Sequence, residues 1–369
     1  ELYKLLSDKD EEAIVTVYTS RKNIIFVMGN LTFFSKLIEG EYIDYNRIIL
    51  RNHRITVYAD RESVISALEH AALITEESMK AIEELVPLGP LHQPPNIAGI
   101  KACQAVMPGK PNVAVFDTAF HQTMPPKAFL YAVPYEYYKT LKVRRYGFHG
   151  TSHRFIAGET PKFLGKKPED CKFIICHLGN GSSLSAIVGG KVVDTSMGLT
   201  PLEGIVMGTR SGSLDPGIIE YIAHKENLSL EEVMRVLNKE SGVLGLSGVS
   251  SDFRDLIEAR KMGNKQAADA VEAFCYRVAK KIGSYVAALN GVDAIAFPAG
   301  IGENSIDMRV KLCEGLEYMG IKIDPEKNNV RGKEVVISTD DSKVQVWIVP
   351  TNEELMIAQD TAELVKAAK

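Results

Sequence analysis

Five of the eight histidines, His92, His121, His149, His153 and His177, lie between residues 92 and 177 of this 369-residue chain. In FHGTSH, His149 and His153 are four apart, which on one helix face could hold zinc. Gly150 and the capping pair Thr151-Ser152 instead predict that His149 precedes the helix, where it can donate toward an anion, and no HExxH glutamate accompanies the pair. A hydrogen-bonded core histidine is the competing reading. Arg210 sits in VMGTRSGSLDPG between Gly208 and Gly212, so a constrained loop carries its guanidinium. A bidentate clamp on phosphate or carboxylate is the natural use of such a group, with an ordinary surface arginine as the alternative. Asp117 closes the apolar run NVAVFD, where a carboxylate suits Mg²⁺ or orientation of a group; capping the turn DTAF is its alternative. Glu353 follows VQVWIVP and starts the last helix, where it could hold a metal ion or favour the helix N-terminus through the macrodipole.

Glycine shows where backbone comes close to something. Of 29 glycines only Gly29 and Gly40 fall in the first 80 residues, so the chemistry is expected after residue 80. In HLGNGSS, the apolar run FIICHL enters Gly179-Asn180-Gly181-Ser182-Ser183, presenting N–H groups and hydroxyls at a strand end, as a phosphate nest does. A plain tight turn is the alternative. A second turn, FPAGIGENS, follows DAIAF, and Glu303, Asn304 and Ser305 there can begin the next helix. Neither GxxxxGK[ST] nor GxGxxG occurs. Two glycine turns at strand ends of one α/β domain favour a nucleotide, because ligands collect at the carboxyl ends of strands.

The elements positioning these residues follow from alternating β-branched runs and helical patterns, the signature of an α/β protein. Strands are predicted at 13–18, 24–28, 54–58, 112–117, 173–178, 293–297 and 344–349, and helices at 61–72, 230–238, 267–290 and 352–366. The 230–238 helix carries a capping box, Ser229 with Glu232. LSAIVGGKVVD reads as a β-hairpin turning on Gly189-Gly190. Gly158 and Pro161 are expected to break any helix begun at Gly150. Length predicts about two domains. A net charge of −4 argues against nucleic-acid binding. Five cysteines without a CxxC pair fit a reducing cytosol, and no run of about 18 apolar residues or basic leader occurs, so a cytoplasmic location away from membranes is expected.

Together these segments resemble one family, the acetate kinases or acetokinases, of the superfamily of sugar kinases, Hsp70-type ATPases and actin. The resemblance is carried by PLGPLHQPPN (87–96), VFDTAFHQTMP (115–125), RRYGFHGTSH (144–153), HLGNGSS (177–183), DTSMGLTPLEGIVMGTRSGSLDPG (194–217), SSDFRD (250–255), AGIGENS (299–305) and PTNEE (350–354). It implies two related actin-like (ribonuclease H-like) α/β domains with a cleft between them. One would comprise 1–121 with 355–369, the other, nucleotide-binding, 122–354. The implied reaction is reversible transfer of the ATP γ-phosphoryl to acetate, giving acetyl phosphate and ADP with Mg²⁺, by a cytoplasmic homodimer.

Residue by residue, the resemblance implies that His149 stabilises the transferring phosphoryl group and that Arg210 binds the acetate carboxylate and that group. Asp117 and Glu353 would position Mg²⁺ and the phosphates. His92, His177, Asn180 and Gly181 would lie along the phosphate path, and Asp252, Phe253, Arg254, Gly300, Ile301 and Asn304 would hold adenosine. Leu91, Phe148 and Pro201 would line the pocket for the acyl methyl group, and Arg54 in NHRITVYAD is the nearest match to the family's carboxylate-binding arginine. The family's opening Asn-x-Gly-Ser-Ser-Ser-x-Lys turn has no counterpart in residues 1–80. Two alternatives stand beside acetate kinase: a propionate or butyrate kinase, since one methylene changes pocket affinity by only about 1–3 kcal/mol, and, favoured by the missing turn, an ATP-binding protein that has lost phosphotransfer.

Overall fold

The structure, a computed structural model, describes strand segments 16–19, 23–28 and 31–36 together with residues 71–86 and 93–367. The chain divides into two compact units, residues 1–116 with 354–369 and residues 117–353. The expected site residues Arg54, Leu91 and His92, and the expected strand 54–58, lie outside the described residues.

In the first unit, β1 (Thr16–Thr19), β2 (Asn23–Met28) and β3 (Leu31–Lys36) form an antiparallel meander, with Phe26 opposite Phe33. β4 (Ala71–Leu73) pairs antiparallel with β5 (Val113–Val115). The helix expected over 61–72 is therefore contradicted at its end, since Ala71 and Ala72 are extended. These residues have good helix propensity, but the partners Val115 and Ala114, distant in sequence, supply their pairing, and tertiary pairing overrides local preference. The next helix begins afresh at Glu76, capped by Thr75, whose hydroxyl accepts the Ser78 amide at 3.2 Å.

The second unit is built on β6 (Lys172–Leu178), β7 (Ser182–Val188), β8 (Lys191–Thr195), β9 (Ala294–Phe297), β10 (Val335–Val336) and β11 (Gln345–Ile348). They make one mixed sheet in the order β10-β11-β9-β6-β7-β8. β6, β9 and β11 run parallel, while β7, β8 and β10 are antiparallel to their neighbours. The expected hairpin is β7–β8, with Gly189 and Gly190 at φ +57° and +74°, values an L side chain resists at both positions.

Both faces of the sheet are buried, and the two-residue strand period divides the core. Ile174, Cys176 and Leu178 face one way, packing with Phe274, Val278 and Ile282 of the long helix Lys265–Leu289. Phe173 and Ile175 face the other, with Ile156 and Ala157 of the helix Gly150–Leu164. The result is a three-layer sandwich with helices on both sides of the sheet. The Gly150–Leu164 helix runs through both Gly158 and Pro161, contrary to expectation. Pro161 removes the N–H that would donate to the Ala157 carbonyl, but the buried Ile156, Ala157 and Thr160 hold that face on the sheet and outweigh the lost bond. Near FPAGIGENS the expected order is also altered: Ala299–Asn304 is already helical, and Ser305 separates it from a second helix, Ile306–Cys313. Among the described residues no helix is long and apolar enough to cross a membrane.

Candidate active site

Three parallel strands bring three sequence-distant segments to one edge of the sheet. β6 ends in HLGNGSS, β9 in PAGIGENS and β11 in PTNEE, so the carboxyl ends of neighbouring strands present both glycine turns and the approach to Glu353. The turns are joined directly: the Leu178 amide donates to Pro298 O at 3.3 Å, and the Val349 amide to Phe297 O at 3.4 Å. Glu303 adds a tie, its Oε1 accepting the Ala299 amide at 2.7 Å and the Thr351 amide at 3.3 Å. Burial raises the pKa of Glu303, although both amides favour its charged form.

His149 holds the position just before the helix, in the left-handed region at φ +61°. Asp117 fixes it there: the Asp117 Oδ2 accepts the His149 amide at 2.7 Å, and its carbonyl accepts the Gly150 amide at 2.8 Å. A Cβ at position 150 would collide with that carbonyl, so glycine is required for the approach. The His149 ring stacks on His177, with centroids 4.2 Å apart and planes 18° from parallel. Its Nδ1 lies 2.9 Å from Ser183 Oγ.

Arg210 arrives on the loop after β8 and donates from Nη1 to Pro201 O at 3.2 Å. Burial lowers its pKa, but a guanidinium remains a cation at any working pH. The side chains of Arg210 and His149 converge on Gly181: a Cβ built there would sit 3.3 Å from His149 Nε2 and 3.5 Å from Arg210 Nη1. The glycine thus keeps open a small space bounded by a fixed cation and an imidazole nitrogen. Asn180 secures the same turn from the other side, its carbonyl accepting the Gly208 amide at 2.9 Å, and a Cβ at Gly208 would overlap the Asn180 side chain.

Behind His149 lies a histidine cluster. His177 Nδ1 meets Ser152 Oγ at 2.9 Å, and the Thr351 hydroxyl donates to that same oxygen at 2.8 Å. His153 Nε2 meets Ser183 Oγ at 2.8 Å, and His121 Nε2 meets Ser185 Oγ at 3.1 Å. Desolvation pushes His121 down to about 3 and holds His153 and His177 well below the ordinary imidazole range, so all three are neutral at neutral pH.

The expected adenosine residues fall into two groups. Asp252 caps the helix Phe253–Lys261, accepting the Arg254 amide at 2.8 Å and pairing with its guanidinium at 2.5 Å. Phe253 is only 5% exposed and packs edge-on against Phe274, so its ring belongs to the core. Gly300 and Asn304 stand exposed on the second turn, where Asn304 Nδ2 donates to Gly300 O at 3.1 Å, and Ile301 is half-buried against the core. Phe148 and Pro201 are half-buried in their loops.

Sequence reasoning missed the supports. Ser183 and Ser185, two apart on β7, turn to one face and each meet a histidine. Arg145 donates from Nη1 to the carbonyls of Thr195 and Ser196 at 3.0 and 3.1 Å and pairs with Glu203 at 2.7 Å, which also accepts from Tyr131. This pins the loop that carries Pro201. Ser-x-Ser after the glycine turn was the available signal for the first pair; nothing local in sequence marks the second.

Asp117 and Glu353 supply the donor chemistry that Mg²⁺ takes from a protein, one or two carboxylates with the remaining positions left to water and phosphate. Among the described residues no group of three or more His, Cys, Asp or Glu forms a cage for a metal ion.

Glycine turns at adjacent parallel strand ends, with an arginine and a histidine bounding the open space, form an arrangement suited to phosphoryl transfer on an α/β scaffold. The chain belongs to the acetokinase family, whose model matches residues 6–359. It is accordingly a phosphotransferase with a carboxyl group as acceptor. It is 55% identical over 389 aligned positions to an acetate kinase of Treponema denticola, covering 99% of this chain and 96% of that protein. With an acetate kinase of Desulfitobacterium hafniense the identity is 60% over 296 positions, 80% of this chain and 74% of that one. Among solved structures, the Porphyromonas gingivalis acetate kinase matches with TM-score 0.78 at 36% identity, covering 96% of this chain and 99% of that chain. A propionate kinase from Francisella tularensis matches with TM-score 0.76 at 37% identity, over 92% and 88%. The family match includes residues 6–80, where the opening glycine turn has no counterpart.

Proposed function

We propose that this chain is an acetate kinase that transfers the γ-phosphoryl group of ATP reversibly to acetate, giving acetyl phosphate and ADP. The observation that carries this reading is the convergence of His149 Nε2 and Arg210 Nη1 on Gly181. Acetate is already deprotonated at neutral pH, so its attack on phosphorus needs no general base. The obstacle is the meeting of two anions. Arg210 offsets that charge and aligns the acceptor carboxylate; His149 donates a hydrogen bond to the oxygens of the group in transit. Asp117 and Glu353 would hold Mg²⁺, which would supply charge neutralisation on the phosphates. Asn180 and Gly181, with His177, line the phosphate path. Adenosine rests between the Asp252–Arg254 cap and the Gly300–Asn304 turn. Phe148 and Pro201 shape the methyl pocket. The enzyme acts in the cytoplasm as a homodimer of two-domain subunits.

A hydroxamate assay for acyl phosphate tests the reading. Acetyl phosphate should form with ATP, Mg²⁺ and acetate, and His149→Ala and Arg210→Ala should each lower kcat about 100- to 1000-fold, the usual cost of one transition-state charge contact. Nucleotide binding without acyl phosphate would establish a binding protein instead. The likeness to a propionate kinase supports a second substrate reading. One methylene changes pocket affinity by only about 1–3 kcal/mol, so kcat/KM for acetate, propionate and butyrate decides between them.

A further inference from the structure

Ser183 is fully buried on β7, and its hydroxyl stands between two imidazoles, 2.9 Å from His149 Nδ1 and 2.8 Å from His153 Nε2. Among the described residues these are its only hydrogen-bond partners. One hydroxyl proton cannot be given to both rings. The ring it points at must accept, and the other must donate.

His153 decides the direction. It is 0% exposed, and its Nδ1 has no hydrogen-bond partner among the described residues. Burial, reinforced by His121, His177 and His149, keeps this ring neutral, with a single N–H. A proton on Nδ1 would leave a buried donor orphaned, and orphaned buried N–H groups are rarer and costlier than an unpaired acceptor lone pair. The proton therefore sits on Nε2 and is donated to Ser183 Oγ. The Ser183 hydroxyl is then free to donate to His149 Nδ1. With that nitrogen accepting, His149 carries its proton on Nε2, the atom that faces the space at Gly181 beside Arg210.

We infer that His153 and Ser183 are positioning residues that set the tautomer of His149, keeping its Nε2 an N–H donor toward the transferring phosphoryl oxygens. The inference rests on the reading of His149 as a phosphoryl contact and deepens it. The reversed relay would present a bare lone pair to an anion, which repels rather than stabilises it. A parallel arrangement serves the stacked ring: Thr351 donates to Ser152, leaving the Ser152 hydroxyl to donate to His177 Nδ1.

The test is long-range ¹H–¹⁵N correlation on ¹⁵N-histidine-labelled full-length protein, with kinetics of Ser183→Ala, Ser183→Thr and His149→Ala. His149 and His153 in the wild-type enzyme should both appear as the Nε2–H tautomer. Ser183→Ala should shift His149 toward Nδ1–H and lower kcat about 10- to 100-fold, the usual loss when a second-layer partner of a site histidine is removed, with KM values for ATP and acetate little changed. Ser183→Thr, which keeps the hydroxyl, should restore the tautomer and most of kcat. A wild-type His149 found as Nδ1–H or as imidazolium overturns the relay, and does so even if Ser183→Ala fails to fold. So does a folded Ser183→Ala enzyme with unchanged kcat while His149→Ala is inactive. If His149→Ala itself keeps its kcat, the underlying reading of His149 falls, whatever tautomer the spectra show.

Discussion

At the scale of single residues, the site depends on where a Cβ is forbidden and where it is merely absent. Gly150 lies against the Asp117 carbonyl, and Gly208 against the Asn180 side chain, so alanine at either must push backbone or a site residue aside. Gly181 is different: its φ is not positive, and an added methyl meets His149 Nε2 at 3.3 Å and Arg210 Nη1 at 3.5 Å, close to ordinary contact. Gly181→Ala should therefore leave the melting temperature within a few degrees of wild type, about 1 kcal/mol, yet remove most activity by filling the space at the reacting group. Gly150→Ala should lose stability and activity together. Thermal melts and the hydroxamate assay on both variants check this contrast, and an active Gly181→Ala enzyme would place the reacting group elsewhere. His149, Arg210 and Asp117 stand out in the sequence because each lies beside glycine or near a strand end. Ser183, Ser152 and Thr351 were not, because a buried serine shows its partner only when another strand or helix is laid beside it.

At the scale of elements, the strand-end turns are held from behind by a buried cation. Arg309, in the helix Ile306–Cys313, is 0% exposed and donates to Gly302 O, Asn328 Oδ1, Asn328 O and Val330 O at 2.7–2.9 Å. Desolvation draws its pKa down to about 10, so it stays charged at neutral pH. Arg309→Leu would strand several buried acceptors, each costing about 1–3 kcal/mol, and is expected to lower stability by at least about 3 kcal/mol. The same change should raise KM for ATP more than it lowers kcat, because Gly302 belongs to the expected adenosine turn. Urea titration and steady-state kinetics check both halves. By contrast, Ser229→Ala, which removes the capping-box hydroxyl that accepts the Glu232 amide at 3.2 Å, should cost only about 1 kcal/mol and leave kinetics unchanged. The capping box, the β7–β8 hairpin and the long helix were readable from local pattern. The strand at 71–73 and the helix running past Pro161 were not, since pairing and burial outweighed local preference.

At the scale of the whole molecule, the histidine cluster ties stability to pH. In the unfolded chain His121, His153 and His177 take up protons near their ordinary pKa of about 6.5. In the folded protein burial delays this, for His121 to about 3. Between those limits the unfolded state binds more protons, so stability is full above about pH 6.5 and is lost as pH falls, at up to about 1.4 kcal/mol per pH unit for each ring. The urea midpoint should drop clearly between pH 7.5 and 5.5; a flat profile would mean that these rings are already charged when folded. Light scattering in solution tests the proposed homodimer.

The sequence by itself determined the family, the α/β class and the residue types of the site, because motifs such as HLGNGSS and FHGTSH write backbone requirements and chemistry into consecutive positions. Only the tertiary structure decided which of them meet. Parallel pairing of β6, β9 and β11 carries three distant turns to one sheet edge, and the strand period turns Ser183 toward two histidines. The proton on His149 is set by that non-local contact, whose energy exists only once the layers have packed and water has been excluded.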